Sequence, residues 1–216
     1  RMQENVERCG GTAIMVIDDF GKPVDLDKTE AALKQHPDAI ALAFVHSETS
    51  TGVRSDAEAL CRLANVHDCL AIVDAVTTLA GIQLEVDEWG IDAIYSGTQK
   101  CLSCVPGLSP VSFSARAADR IKHRRHKVQS WFLDTNLVMG YWGADAKRSY
   151  HHTAPVNSLY ALHESLVILQ EEGLEKSWQR HQQNHLALVA GLESLGLGFV
   201  VEESSRLPQL NAVSFP

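Results

Sequence analysis

The sequence has no hydrophobic run long enough to cross a membrane. Nowhere in its 216 residues does an uncharged apolar stretch approach the roughly 20 residues that span a bilayer. Its first residues, Arg1-Met2-Gln3-Glu4-Asn5, also lack the apolar core of a signal peptide. We therefore expect a soluble, cytoplasmic protein with no membrane partner.

Positive charge is scarce. The chain has 19 Lys and Arg against 27 Asp and Glu, a formal net charge of −8. Such a surface repels a polyphosphate backbone unless the basic groups lie together on one face. The basic run at 122–127 is better explained as a solvated helix end. We therefore expect no nucleic-acid partner.

Cysteine is also sparse, and its count is odd. Five scattered cysteines fit reduced thiols better than a disulfide framework. Cys101 and Cys104 form a C-x-x-C pair, but the sequence contains no second pair to complete a zinc site. The adjacent His151 and His152 are expected to point to opposite sides of an extended segment. We therefore predict neither a metal site nor a redox pair.

The remaining composition is that of a globular protein, with 45% hydrophobic and 21% charged residues. Continuous apolar runs of strand length, which favour strands covered on both faces, alternate with amphipathic helical patterns. The strand-like runs lie at 12–17, 39–45, 69–74, 91–96 and 111–113, and the helical patterns at 26–36, 56–67, 158–172 and 177–195. This order predicts an α/β fold with a mainly parallel sheet.

Polar residues follow the predicted strands, at the sheet edge where α/β proteins bind their ligands. Thr49, Asp74, and Gln99 with Lys100 lie at three such strand ends. A partly desolvated lysine amine is a nucleophile suited to Schiff-base chemistry, and a nearby carboxylate can keep a heterocyclic nitrogen protonated. A lysine with an aspartate partner is the arrangement of pyridoxal-phosphate enzymes. Alone, each residue is more often a surface lysine or a turn former.

Several motifs together are more specific than this pair. They are SGTQKCL at 96–102, PGL at 106–108, VSFS at 111–114, HSETSTGV at 46–53, VDAV at 73–76, GID at 90–92, YHHTAPV at 150–156 and RLP at 206–208. In this order and spacing the chain resembles the class V aminotransferases, and within them the alanine–glyoxylate and serine–pyruvate group. The likeness extends over essentially the whole chain.

The resemblance implies a fold of the aspartate-aminotransferase type, the cofactor pyridoxal 5′-phosphate and particular site residues. Lys100 matches the Schiff-base lysine, and Asp74 the partner of the pyridine nitrogen. Thr49 matches a hydroxyl near the phenolic oxygen, Val76 a contact with the ring face, and Gln99 a contact with the phosphate or the side of the ring.

Two further matches concern a partner subunit. Tyr150 and Thr153 correspond to residues that reach the cofactor phosphate of the neighbouring subunit, which implies a homodimer. The expected substrates are a small amino acid, alanine or serine, and a 2-oxo acid, glyoxylate or pyruvate. For animal members of the family, peroxisomes or mitochondria are further locations that the resemblance implies.

The resemblance also divides the chain. Gly173 is a typical helix end, and we place a boundary there. Residues 1–172 are expected to be part of the cofactor-binding large domain without its N-terminal portion, and 173–216 the start of a small, truncated α+β C-terminal domain. In the family, the phosphate-binding loop and the ring-stacking aromatic residue lie upstream of Arg1, and the arginine that binds the substrate carboxylate lies beyond Pro216.

Three alternatives stay open. One is transamination of 2-aminoethylphosphonate on the same scaffold. A second is cysteine desulfuration, which needs a reactive cysteine on a mobile loop. The third is a catalytically incomplete fragment, since family residues for the phosphate and the substrate carboxylate have no match in this sequence.

Overall fold

Helices and strands alternate along the chain in a computed structural model that describes residues 1–142 and 149–215. The helices are α1 (Met2–Arg8), α2 (Leu26–Gln35), α3 (Ala57–Val66), α4 (Ala115–Lys122), α5 (Thr135–Trp142), α6 (Val156–Glu172) and α7 (Leu174–Ser194). The strands are β1 (Ala41–Val45), β2 (Ser47–Glu48), β3 (Val53–Arg54), β4 (Leu70–Asp74), β5 (Ala93–Tyr95), β6 (Val111–Phe113), β7 (Gly198–Phe199) and β8 (Val213–Ser214), and a short 3-10 helix covers Glu203–Ser205.

The main sheet has four strands in the order β1-β4-β5-β6. β1, β4 and β5 are parallel, and β6 joins the edge of β5 in the antiparallel sense. The register pairs Val45 with Asp74 and Asp74 with Tyr95. The carboxyl ends of the three parallel strands therefore meet at one level, and the prediction of a mainly parallel sheet is confirmed.

The hydrophobic core lies between this sheet and helices on one side. Leu60, Cys61 and Ala64 of α3 and Ala71 and Val73 of β4 are completely buried. Along β4 buried residues alternate with half-buried ones, and every residue of β6 is exposed. The prediction that the strands are covered on both faces is therefore wrong for the described residues. An apolar run does not reveal how much of each face its neighbours cover.

Local signals set most element boundaries. The carboxylate of Asp25 accepts a hydrogen bond from the main-chain N–H of Lys28 at 3.0 Å and caps α2. Asp56 caps α3 in the same way, through the N–H of Ala59 at 2.9 Å. The predicted strand at 12–17 is wrong, because this segment forms neither helix nor strand and pairs with no strand in the described chain.

A buried carboxylate joins the strands to α4. Asp92 accepts hydrogen bonds from the main-chain N–H of Ala71 at 3.0 Å and from the hydroxyl of Ser114 at 2.6 Å. Ser114 is also the N-cap of α4, since its hydroxyl accepts from the N–H of Ala117 at 3.1 Å. Asp92 therefore links β4 to the start of α4.

Beyond the sheet, the two long helices meet at Gly173, whose φ of +86° only glycine adopts readily. Ser177 of α7 donates a hydrogen bond to the carbonyl of Ala80 at 3.2 Å and links the helix to the segment between β4 and β5. The basic run at 122–127 is exposed, as predicted. Among the described residues, no helix has the length and apolar character needed to cross a membrane.

Candidate active site

Asp74 is the last residue of β4 and lies half-buried at the carboxyl edge of the sheet. Its Oδ1 accepts a hydrogen bond from the main-chain N–H of Val76 at 3.0 Å, and its Oδ2 accepts one from the hydroxyl of Tyr95 at 2.7 Å. Burial and this hydrogen bond raise the pKa of Tyr95 well above its usual value, so the hydroxyl keeps its proton. Donors on both oxygens therefore orient the carboxylate.

Thr77, which is buried, connects the loops that follow three parallel strands. Its hydroxyl lies 2.9 Å from that of Thr49, in the turn between β2 and β3 that follows β1. Its carbonyl accepts hydrogen bonds from the thiol of Cys101 at 3.7 Å and from the side-chain amide of Gln209 at 2.8 Å. These contacts bring Thr49, the turn after Asp74 and the lysine loop together at one edge.

Lys100 lies in the loop after β5 and is half-buried. Its carbonyl accepts a hydrogen bond from the N–H of Ser103 at 2.9 Å, which closes a turn around it. Within residues 1–142 and 149–215, its ammonium group has neither an ion pair nor a hydrogen bond. Burial raises the pKa of the neighbouring Cys101 thiol, and the positive charge of Lys100 partly offsets that rise. Among the described residues, no other side chain therefore engages the Lys100 amine.

Gln99 precedes the lysine and is exposed. A Cβ at Gly97 would lie only 2.7 Å from Oε1 of Gln99, so the glutamine side chain folds back over the Gly97 backbone. A side chain at position 97 would displace the Gln99 amide from this position. Among the described residues, no hydrogen bond or ion pair joins Gln99 to Thr49, Asp74 or Lys100, and Gln99 shares only the loop with Lys100.

Tyr150 and Thr153 lie apart from this edge. Their hydroxyl oxygens are 2.5 Å apart, and Tyr150 is 71% exposed. Among the described residues, no contact joins either of them to Thr49, Asp74 or Lys100. The loops of Thr49, Asp74 and Lys100 therefore contact one another, whereas Tyr150 and Thr153 lie at the surface.

The two adjacent histidines differ from expectation. The Nδ1 atoms of His151 and His152 are 2.7 Å apart, so the prediction that the two rings point to opposite sides is wrong. The segment is not a strand, and the His151 ring stacks on Trp131 with ring centroids 4.1 Å apart. In the part of the chain that the structure describes, no cluster of His, Cys, Asp or Glu could hold a metal ion.

Sequence reasoning missed Tyr95, Thr77 and Gln209. Tyr95 lies within a predicted strand, and only the strand register reveals its pairing with Asp74. Thr77 is three residues past Asp74, where hydroxyls after a strand end are a weak signal. Gln209 comes 132 residues after Thr77, and no local pattern connects the two.

Comparisons with known proteins find relatives along the whole chain. The family model described as aminotransferase class-V matches residues 2–216. The rabbit (Oryctolagus cuniculus) alanine–glyoxylate aminotransferase is 41% identical over 218 residues, which cover 100% of this chain and 55% of that protein. The (S)-ureidoglycine–glyoxylate transaminase of Bacillus subtilis is 34% identical, with 100% of this chain and 55% of that protein covered.

A solved structure extends the likeness to the backbone. The alanine–glyoxylate aminotransferase of Nostoc sp. has 43% sequence identity and a TM-score of 0.94, over 99% of this chain and 56% of that one. The predicted fold class is thereby confirmed. The chain spans about half the length of the curated relatives it matches.

Proposed function

Because the chain belongs to the class V aminotransferase family, we propose that it forms the catalytic core of a pyridoxal-phosphate-dependent transaminase. The proposed reaction moves an amino group from a small amino acid to a 2-oxo acid. The observation that carries the proposal is the position of Lys100, a half-buried residue in a loop joined to the turn after Asp74. Among the described residues its amine has no ion pair.

The residues at the sheet edge suit this cofactor. Each oxygen of the Asp74 carboxylate has one protein donor and can accept another, because a carboxylate oxygen has two lone pairs. Asp74 can therefore bind the protonated ring nitrogen without losing these two hydrogen bonds. The hydroxyl of Thr49 would contact the phenolic oxygen, Val76 the ring face, and Gln99 the phosphate or the side of the ring.

When bound, pyridoxal phosphate withdraws electrons from the α-carbon of an amino acid. Asp74 holds the proton on the ring nitrogen, because a fixed carboxylate favours the charged form. Lys100 supplies the amine that holds the cofactor in the absence of substrate. When free, the same amine would act as a general base and remove the proton at the substrate α-carbon.

The names of the relatives point to the acceptor more firmly than to the donor. Glyoxylate occurs in the names of both the rabbit and the Bacillus subtilis protein, whereas their donors are alanine and (S)-ureidoglycine. We infer glyoxylate as acceptor and alanine as donor, with serine and pyruvate as further substrates of the same class. The second relative, at 34% identity, makes (S)-ureidoglycine the alternative donor.

Cysteine desulfuration is less well supported. It needs a thiolate, whereas burial raises the pKa of the Cys101 thiol beside the lysine. The Cys101 thiol also donates its hydrogen bond to the Thr77 carbonyl, which fits a packing role. For 2-aminoethylphosphonate transamination, no contact in the described residues suggests a phosphonate site.

The quaternary and domain assignments belong to the same proposal. Exposure of Tyr150 and Thr153 supports a homodimer in which they complete the neighbouring site. The boundary between residues 1–172 and 173–216 is supported by the glycine between α6 and α7 and by the separate β7-β8 sheet. A cytoplasmic location is part of the proposal.

The test is a visible-absorption titration of the purified chain with pyridoxal phosphate, followed by an assay with alanine and glyoxylate. Lys100→Ala is expected to abolish the saturable absorption change, and Lys176→Ala, an exposed lysine on α7, to leave it intact. Turnover would support the transaminase, and saturable binding without turnover would identify a catalytically incomplete fragment. An unchanged titration in Lys100→Ala would refute the assignment of Lys100.

A further inference from the structure

The inference concerns Tyr95, which no part of the proposed reaction uses. Tyr95 ends β5 and is the register partner of Asp74, which ends β4. Residues paired in this way on parallel strands project to the same face of a sheet. The Tyr95 hydroxyl therefore reaches Oδ2 of Asp74, at 2.7 Å.

The position of Tyr95 is fixed from both sides of its strand. Its carbonyl accepts a hydrogen bond from the N–H of Ala75, the residue after Asp74, at 2.9 Å. On the other side, β5 pairs with β6 and places Tyr95 opposite Val111. The ring is half-buried, so the hydroxyl has little freedom to leave the carboxylate.

The two hydrogen bonds to the Asp74 carboxylate constrain it in different ways. The Val76 N–H is a main-chain donor two residues further along and holds Oδ1 close to its own turn. The Tyr95 hydroxyl comes from the neighbouring strand and sets the rotation of the carboxylate about the Cβ–Cγ bond. With one support alone, the carboxylate could rotate away from a ligand at the sheet edge.

We propose that Tyr95 is a positioning residue that orients the Asp74 carboxylate toward the ring nitrogen of the cofactor. The assignment rests on the proposed function, since it needs pyridoxal phosphate at this edge. Tyr95 touches neither cofactor nor substrate in this account. Its effect passes entirely through Asp74.

A double-mutant cycle distinguishes this role from a purely structural one. The variants are Tyr95→Phe, Asp74→Asn and their combination, and the readout is the Kd for pyridoxal phosphate from visible absorption. Tyr160→Phe, which removes an exposed hydroxyl on α6, is the matched control. Urea unfolding of each variant establishes that it is folded.

Loss of a hydrogen bond to a charged group is expected to weaken binding in Tyr95→Phe about tenfold. In the Asp74→Asn background the same change should alter Kd less than about twofold, because residues that act through one another are not additive. Tyr160→Phe should bind as the wild type does.

The outcomes separate the two proposals. If the wild-type chain binds and Tyr95→Phe binds equally well, the role of Tyr95 is refuted and the proposed function stands. Equal losses in both backgrounds would also overturn it, since they would show a role independent of Asp74. If the wild-type chain shows no saturable binding, the proposed function itself fails.

Discussion

A buried histidine beside the site makes the stability of the fold depend on pH. His46 follows β1 and is 3% exposed. Its main-chain N–H donates to the Asp74 carbonyl at 3.0 Å, and its ring packs edge-on against Trp89. Burial, aided by the charge of Arg54 and opposed by that of Asp56, lowers the pKa of His46 from 6.5 to about 4.

The magnitude follows from the difference between folded and unfolded states. As pH falls, the unfolded chain takes up a proton near pH 6.5, whereas the folded chain does so only near pH 4. The stability from the neutral ring is therefore complete above pH 6.5 and is lost as pH falls toward 4. It amounts to about 3 kcal/mol in all, of which about 2 kcal/mol is lost between pH 7.5 and pH 5.

Urea unfolding at pH 7.5 and pH 5 measures this loss. His46→Gln removes the titrating group, so its free energy of unfolding should fall by about 2 kcal/mol less than that of the wild type over this interval. His163→Gln, an exposed histidine on α6, should behave as the wild type does. Identical pH dependence in the wild type and His46→Gln would refute the reasoning.

Two further predictions concern stability, both measured by urea unfolding. Asp92→Ala leaves buried donors without an acceptor and should cost about 3 kcal/mol, whereas the exposed Asp119→Ala should cost less than about 0.5 kcal/mol; equal losses would contradict the buried link. Gly52→Ala places a Cβ 2.7 Å from the carbonyl oxygen of Leu210 at a φ of +80° and should destabilise by about 2 kcal/mol. The control is Gly191→Ala on α7, where a Cβ meets nothing within 4 Å and should stabilise the fold by about 0.5 to 1 kcal/mol. A rise in the free energy of unfolding of Gly52→Ala would contradict the described conformation of its loop.

The sequence predicted the strand-end residues because an apolar run that stops at a polar residue marks the edge of a parallel sheet. Asp74 and Lys100 follow such runs, and the structure joins their loops through Thr77. The resemblance to class V aminotransferases is confirmed by the family model over residues 2–216. The assignment of Asp74 and Lys100 as cofactor ligands stays a prediction.

Strand register and long-range packing could not be predicted from the sequence. Tyr95 looks like any strand aromatic until the pairing with Asp74 is known. Gln209 lies in a distant segment and supports the site through one amide hydrogen bond. The apolar segment at 12–17 has the composition of a strand, but strand formation depends on a partner rather than on composition alone.

The most direct test of the central claim is to locate the cofactor on the chain. The protein is incubated with pyridoxal phosphate, treated with borohydride to fix the cofactor on the amine that holds it, digested and analysed by mass spectrometry. The account predicts a modified peptide that contains Lys100 and is absent from Lys100→Ala. Modification spread over exposed lysines such as Lys176, with Lys100 unmodified, would contradict it.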